Sequence, residues 1–111
     1  MERTFDLYSE EDAQGGTRHV LLRVTDQGGL ILEGQDLGGA VSLAFPGSSE
    51  YEWGWALPRA RVAAFLRLFN VRADSSDWFD QVGRGLKQVD PTEVQKLFKE
   101  NGAEFWSRHG D

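Results

Sequence analysis

Hydrophobic and polar residues alternate along the first half of the 111-residue chain, and this pattern predicts β-strands. Four segments show the alternation: residues 4–8, 18–25, 30–33 and 50–57. The fourth segment carries three aromatic residues and a leucine on one face, namely Tyr51, Trp53, Trp55 and Leu57. Residues 40–49 allow either a strand or a short helix.

A hairpin turn is predicted between the second and third strands. A loop over residues 26–28, with Gly28 at a positive φ, would pair Val24 with Leu30 and keep the apolar faces aligned. A two-residue loop would instead set Val24 opposite Ile31 and mix the two faces. We therefore expect the three-residue loop.

The second half of the chain changes to the helical period of 3.6 residues. Pro58 suits the first turn of a helix, and the apolar stripe of this helix is Val62, Phe65, Leu66 and Phe69. Ser75 or Ser76 can cap a second helix, which we expect to end early because Gly83 and Gly85 weaken its last turns. A third helix begins after Asp90 as N-cap, with Pro91 in the first position, and ends at Asn101-Gly102.

These elements predict a single α+β domain over residues 1–111. We expect an antiparallel sheet of about four strands in the N-terminal half, packed on one face by about three C-terminal helices. The length suits one compact domain with one core. The absence of cysteine excludes disulfides and thiolate metal sites, and the sequence shows neither a secretory signal nor a membrane-spanning run, so we expect a cytoplasmic protein.

Charge is distributed unevenly between the two halves. Residues 1–57 carry ten acidic and three basic side chains, whereas residues 58–111 carry eight acidic and nine basic ones, within a total of −6. The acidic half would repel phosphate, so nucleic-acid binding by the arginines near the first helix, Arg59, Arg61, Arg67 and Arg72, is not expected.

Residues suited to catalysis are sparse. The two imidazoles are His19, on a predicted strand, and His109, near the end of the sequence where fraying is common. The glycine pairs match no phosphate-binding motif, and the carboxylates lack the spacing of a dedicated metal site. We expect no enzymatic activity, no metal and no cofactor.

Four carboxylates form the main candidate site: Glu33, Asp36, Glu50 and Glu52. In the predicted sheet, Glu33, Glu50 and Glu52 share the face that the helices do not cover, with Arg23 beside them. Such a cluster can steer a basic protein partner onto the sheet, as immunity proteins and inhibitors that mimic nucleic acid do. The predicted function is therefore a non-enzymatic interaction protein.

The aromatic row of Tyr51, Trp53 and Trp55 supports an alternative. Its pattern is typical of a core, but the same side chains could line a pocket between sheet and helices. The alternative function is a small-molecule-binding or enzymatic domain that uses this pocket.

Two short motifs resemble a group of small bacterial proteins of uncharacterised activity. The motifs are Gln35-Asp36-Leu37-Gly38, taken as a turn, and the strand Glu50-Tyr51-Glu52, within residues 29–70. The resemblance implies a small cytosolic α+β domain without an assigned activity or cofactor. Asp36 can cap the turn through its side chain, and Gly38 supplies a backbone angle that other residues resist.

Overall fold

A computed structural model of the chain describes residues 3–11, 13–39 and 50–110. It shows an α+β fold in which an antiparallel sheet is packed by three helices. The strands are β1 (Arg3–Glu11), β2 (Thr17–Val24), β3 (Leu30–Leu37), β4 (Glu50–Leu57) and β5 (Glu104–Gly110). The helices are α1 (Arg59–Arg67), α2 (Trp78–Lys87) and α3 (Pro91–Glu100).

The sheet follows the chain order β1-β2-β3-β4-β5, with every neighbouring pair antiparallel. The predicted hairpin is confirmed, because Val24 pairs with Leu30 and Gly28 takes a φ of +85°. The Thr25 N–H donates to the Gly29 carbonyl at 2.9 Å, which closes the three-residue loop. The register therefore aligns the apolar faces as expected.

The number of strands differs from the prediction. A fifth strand, β5, returns from the helical half and pairs along β4. It alternates Glu104, Trp106 and Arg108 with Phe105 and Ser107, and this mixed pattern on an edge strand lacks the apolar face that marked the other strands. The sheet is therefore built from both ends of the chain.

Two strands run longer than predicted. β1 continues to Glu11, through a bulge between Asp6 and Tyr8, where a loop was expected from Ser9 onward. β3 continues to Leu37, so the predicted turn at residues 35–38 is wrong except at its end, where Gly38 has a φ of +62°. The segment 40–49 lies outside the described residues.

The structure confirms most of the residues predicted to begin and end the helices. Asp90 caps α3 by accepting a hydrogen bond from the Thr92 N–H at 3.0 Å, and Gly102 follows its end at a φ of +90°. The cap of α2 is Asp77 rather than a serine, and α2 does not end early. Its glycines allow close packing, since a Cβ at Gly83 would lie 2.7 Å from the ring of Phe5.

The core lies between the helices and one face of the sheet, which we call the inner face. Its fully buried large side chains are Trp53, Phe65, Phe79, Phe98, Leu22, Leu30, Leu32, Leu57, Leu66, Leu86, Val20 and Val82. The rings of Phe65 and Phe98 lie 4.7 Å apart between α1 and α3, and Phe5 of β1 meets Phe79 of α2 edge to face. All three helices thus contribute to one side of the sheet.

No helix in the described part of the chain is both long and apolar enough to cross a membrane.

Candidate functional site

The face of the sheet opposite the core, which we call the outer face, carries the candidate site. Strand alternation places six carboxylates and two arginines on it: Asp6, Glu11, Glu33, Glu50, Glu52, Glu104, Arg23 and Arg108. None of the described helices packs on this face, since their buried residues belong to the core on the inner side. The outer face is therefore acidic, and the described helices leave it uncovered.

Glu33 lies at the centre of the outer face, as predicted, and is fixed by Arg23. The Nε and Nη2 atoms of Arg23 both donate to Oε1 of Glu33, at 2.8 and 2.5 Å. The two side chains are 25% and 29% exposed, so this ion pair is partly shielded from water. The pair places the Glu33 carboxylate in one position and leaves Oε2 without a protein donor among the described residues.

Glu52 and Glu50 also lie on the outer face, as predicted, and each has a partner on a neighbouring strand. Arg108 of β5 donates to Oε2 of Glu52 at 2.7 Å, directly across the β4–β5 pair. Gln35 of β3 donates to Oε1 of Glu50 at 2.6 Å. Partners on neighbouring strands therefore hold three of the predicted carboxylates in place on the outer face, Glu33 on β3 and Glu50 and Glu52 on β4.

Asp36 is separated from the other three carboxylates. It lies within β3 on the inner side, opposite Tyr51, and not in a turn, so its predicted role as a turn cap is wrong. Both of its oxygens accept from Arg18 at 2.8 Å, in the parallel two-bond geometry typical of arginine and carboxylate. This hydrogen bonding raises the pKa of Arg18 above its usual value, and the Arg18 guanidinium also lies 5.6 Å from the centre of the Trp53 ring.

Trp106 is a site residue that the sequence analysis did not single out. It lies across from Gly54, and a Cβ on Gly54 would lie 2.5 Å from Cε2 of Trp106, so the indole rests on the glycine backbone. The pairing of a bulky aromatic with a strand glycine is a known way of covering the exposed backbone. No local pattern marks this residue, because its strand lacks an apolar face of its own.

A depression of about 210 Å³ lies beside Trp106 on the outer face. Its lining consists of His19, Leu21, Glu33, Gly34, Gln35, Glu52 and Trp106. It therefore combines an aromatic wall with two fixed carboxylates, the chemistry that suits a cationic side chain with an apolar stem.

The aromatic row of β4 lies on the inner side of the sheet. Trp53 is 2% exposed and belongs to the core, and its ring covers Gly34 of β3. Tyr51 and Trp55 are half-buried, and the Trp55 indole N–H donates to Oε1 of Gln95 on α3 at 2.9 Å. In this structure the row therefore joins the sheet to the helices.

A larger depression, of about 500 Å³, lies elsewhere, between the β2–β3 loop and α1. Its lining consists of Asp26, Gln27, Gly28, Arg59, Val62, Ala63, Leu66, Ala73 and Trp78. It combines an apolar floor with one basic and one acidic side chain at its rim. None of the three predicted aromatic ligand-binding residues lines it.

His19 forms a small polar cluster at the β1 side of the outer face. Its Nε2 lies 3.1 Å from Oδ1 of Asp6, and its Nδ1 lies 3.3 Å from Oγ of Ser9. The residue types match a serine–histidine–aspartate triad, but the side chains of His19 and Asp6 are 47% and 78% exposed. Catalytic triads need a buried, oriented carboxylate, so we interpret the cluster as hydrogen bonding across the β1–β2 pair.

The described residues contain no group of three or more histidine, cysteine, aspartate or glutamate side chains that could hold a metal ion. Comparison of the chain with family models, with curated proteins and with solved structures found no match. The resemblance of residues 29–70 to small bacterial proteins therefore stays a prediction.

Proposed function

We propose that this chain is a non-enzymatic, cytoplasmic interaction protein that binds a basic protein partner through the outer face of its sheet. The observation that carries the proposal is the arrangement of Glu33, Glu52 and Trp106 around one open depression. Partner-binding surfaces are typically built from a central aromatic residue with charged residues around it.

Arg23 and Arg108 support binding because they hold the carboxylates of Glu33 and Glu52 in place without engaging both oxygens of either carboxylate. Arg23 contacts Oε1 of Glu33, and Arg108 contacts Oε2 of Glu52, so one oxygen of each can accept a further hydrogen bond. A guanidinium or ammonium group from the partner would meet acceptors that need little reordering, which reduces the entropy lost on binding.

The surplus of carboxylates on the outer face also favours encounter with a positively charged surface. Glu50 lies near Glu52 on β4, and the described strands place six acidic and two basic side chains on this face. Complementary charge raises the association rate, and salt weakens that effect. Binding is therefore expected to weaken as the salt concentration rises.

The test is affinity capture followed by titration of the purified captured protein. We expect the Glu50→Lys/Glu52→Lys variant to lose capture of the partner. It reverses the charge at two of the three fixed carboxylates and places a lysine opposite Arg108. Its thermal unfolding midpoint should stay near that of the wild type, since both side chains lie on the solvent side of the sheet.

The matched control reverses two exposed carboxylates on the helical side, in Glu93→Lys/Glu100→Lys. This variant changes the net charge by the same amount and should retain capture. Equal capture by both variants would contradict the proposal, and so would a captured protein whose affinity does not depend on salt.

The groove between the β2–β3 loop and α1 supports a second candidate function, binding of a small molecule. Its volume lies in the range of ligand pockets, and it combines Trp78, the apolar floor and the cationic Arg59. A thermal-shift screen of small carboxylates on the wild type and on Arg59→Gln would test it. A ligand that stabilises the wild type and not the variant supports this candidate, and an absence of any shift contradicts it.

A further inference from the structure

The two edge strands of the sheet differ in how they are protected from pairing. β1 carries a bulge between Asp6 and Tyr8, together with the adjacent charges of Glu10 and Glu11. Bulges and clustered charges are common ways of preventing edge-to-edge association. β1 is therefore poorly suited to pair with another chain.

The other edge, β5, has none of these features. It is seven residues long, contains no proline, pairs with β4 in an unbroken register, and has no second strand beside it among the described residues. Phe105 on this strand is 48% exposed. An open, regular edge with an exposed aromatic side chain is a template for another strand.

The sequence of β5 is complementary to itself about Trp106. In an antiparallel pair of two copies centred on this residue, Glu104 of each copy lies opposite Arg108 of the other. Phe105 then lies opposite Ser107, and the two Trp106 residues face each other. Opposite charges placed directly across an antiparallel pair stabilise it, whereas like charges destabilise it.

We propose that β5 pairs with β5 of a second copy of this chain, which joins two sheets into one ten-stranded sheet with a two-fold axis at Trp106. A two-fold interface requires a surface that is complementary to itself, and the positions of Glu104 and Arg108 meet this requirement. The proposal goes beyond the outer-face function and does not depend on it.

The ion pairs within one copy extend across the proposed interface. Arg108 already donates to Glu52 on β4, and Glu104 of the second copy would lie on its other side, so each arginine would stand between two carboxylates. The exposed Phe105 would lose contact with water on the inner face of the joined sheet. Charge and apolar burial therefore favour the same pairing.

The test is sedimentation equilibrium of the wild type and of charge variants over a wide range of protein concentration. The wild type should associate to a dimer. Glu104→Arg places two like-charged pairs in the interface and should raise the dimer dissociation constant by about tenfold or more. Glu104→Gln should give an intermediate value, and circular dichroism should show that both variants are folded.

A mixing experiment makes the test specific for this register. Arg108→Glu should also weaken the dimer, but an equimolar mixture with Glu104→Arg restores opposite charges at both positions and should form a heterodimer. The matched control on the other edge, Glu11→Arg, should dimerise like the wild type. A monomeric wild type, a dimer unaffected by Glu104→Arg, or a mixture that stays monomeric would overturn the proposal.

The dimer and the outer-face function fail separately. Glu104→Arg removes the dimer and leaves Glu33, Glu50 and Glu52 unchanged, whereas Glu50→Lys/Glu52→Lys reverses two of these three carboxylates and leaves both charges of the β5 pairing. Occupation of the β5 edge by an extended peptide from another protein, with no dimer of the free chain, would overturn the proposed self-pairing.

Discussion

Both faces of this sheet carry the same local arrangement, a tryptophan resting on a glycine of the neighbouring strand. On the inner face Trp53 of β4 covers Gly34 of β3, and on the outer face Trp106 of β5 covers Gly54 of β4. Trp53 is buried under the helical layer, whereas Trp106 remains partly exposed beside two carboxylates. The difference lies in what covers each indole.

The comparison shows that the same tryptophan–glycine pair can belong to the core or to the surface, depending on what packs over the indole. The inner face is stabilised by apolar contact with three helices, and the outer face by ion pairs that water can reach. Burial of a large aromatic side chain contributes several times more free energy than an exposed ion pair. The inner face therefore stabilises the fold, and substitutions on the outer face should cost little.

The largest expected difference concerns the two tryptophans. Trp53→Ala should lower the free energy of unfolding by about 3–5 kcal/mol, because it leaves a cavity in the core. Trp106→Ala should cost less than about 1.5 kcal/mol, since its indole is already partly in water. Denaturant unfolding followed by circular dichroism measures both values, and equal losses would contradict the assignment of the two faces.

A smaller difference in the free energy of unfolding is expected between substitutions of Gly34 and Gly54, the glycines that the two tryptophans cover. A Cβ at Gly34 would overlap the buried Trp53 ring, which has no room to move, so Gly34→Ala should cost about 2–3 kcal/mol. Gly54→Ala should cost about 1 kcal/mol or less, because Trp106 can shift towards solvent. Chemical denaturation compares the two variants, and a larger loss for Gly54→Ala would show that Trp106 is held as tightly as Trp53.

Much of this arrangement could be predicted from alternation along the chain. The register of β2 with β3 followed from one loop length, and the shared face of Glu33, Glu50 and Glu52 followed from strand parity. Asp36 was misplaced because its local sequence suits a turn, so the third strand was predicted to end at Glu33. The register that pairs Val24 with Leu30 also sets Arg18 opposite Asp36 once β3 extends to Leu37.

Trp106 was missed for a related reason. Its strand has no apolar face of its own and is stabilised by pairing with β4, which no local pattern reveals. The partners of Glu50 and Glu52 were missed as well, because Gln35 and Arg108 meet them across strands. The acidic face could therefore be predicted from the sequence, but Trp106 as its aromatic residue could not.

The smallest expected effect concerns the N-cap of α3, one of the helices that pack on the inner face. The hydrogen bond from the Thr92 N–H lowers the pKa of Asp90 below its ordinary value of 3.8. The ionised Asp90 cap therefore stabilises the folded state when the pH is above 3.8. This stabilisation is lost as the pH falls through the lowered pKa of Asp90. Asp90→Ala should lower the thermal midpoint at neutral pH, and its difference from the wild type should shrink in acid. Glu100→Gln, at the other end of α3, serves as the control, and a pH-independent difference would contradict this role of Asp90.

The central claim is that the outer face is the binding surface and that Trp106, on the edge strand β5, is its main aromatic contact. Its most direct test is calorimetric titration of the captured basic partner into the wild type and into Trp106→Ala. The account predicts an affinity at least about tenfold weaker for Trp106→Ala, at a nearly unchanged free energy of unfolding. Equal affinities for the two proteins would contradict it.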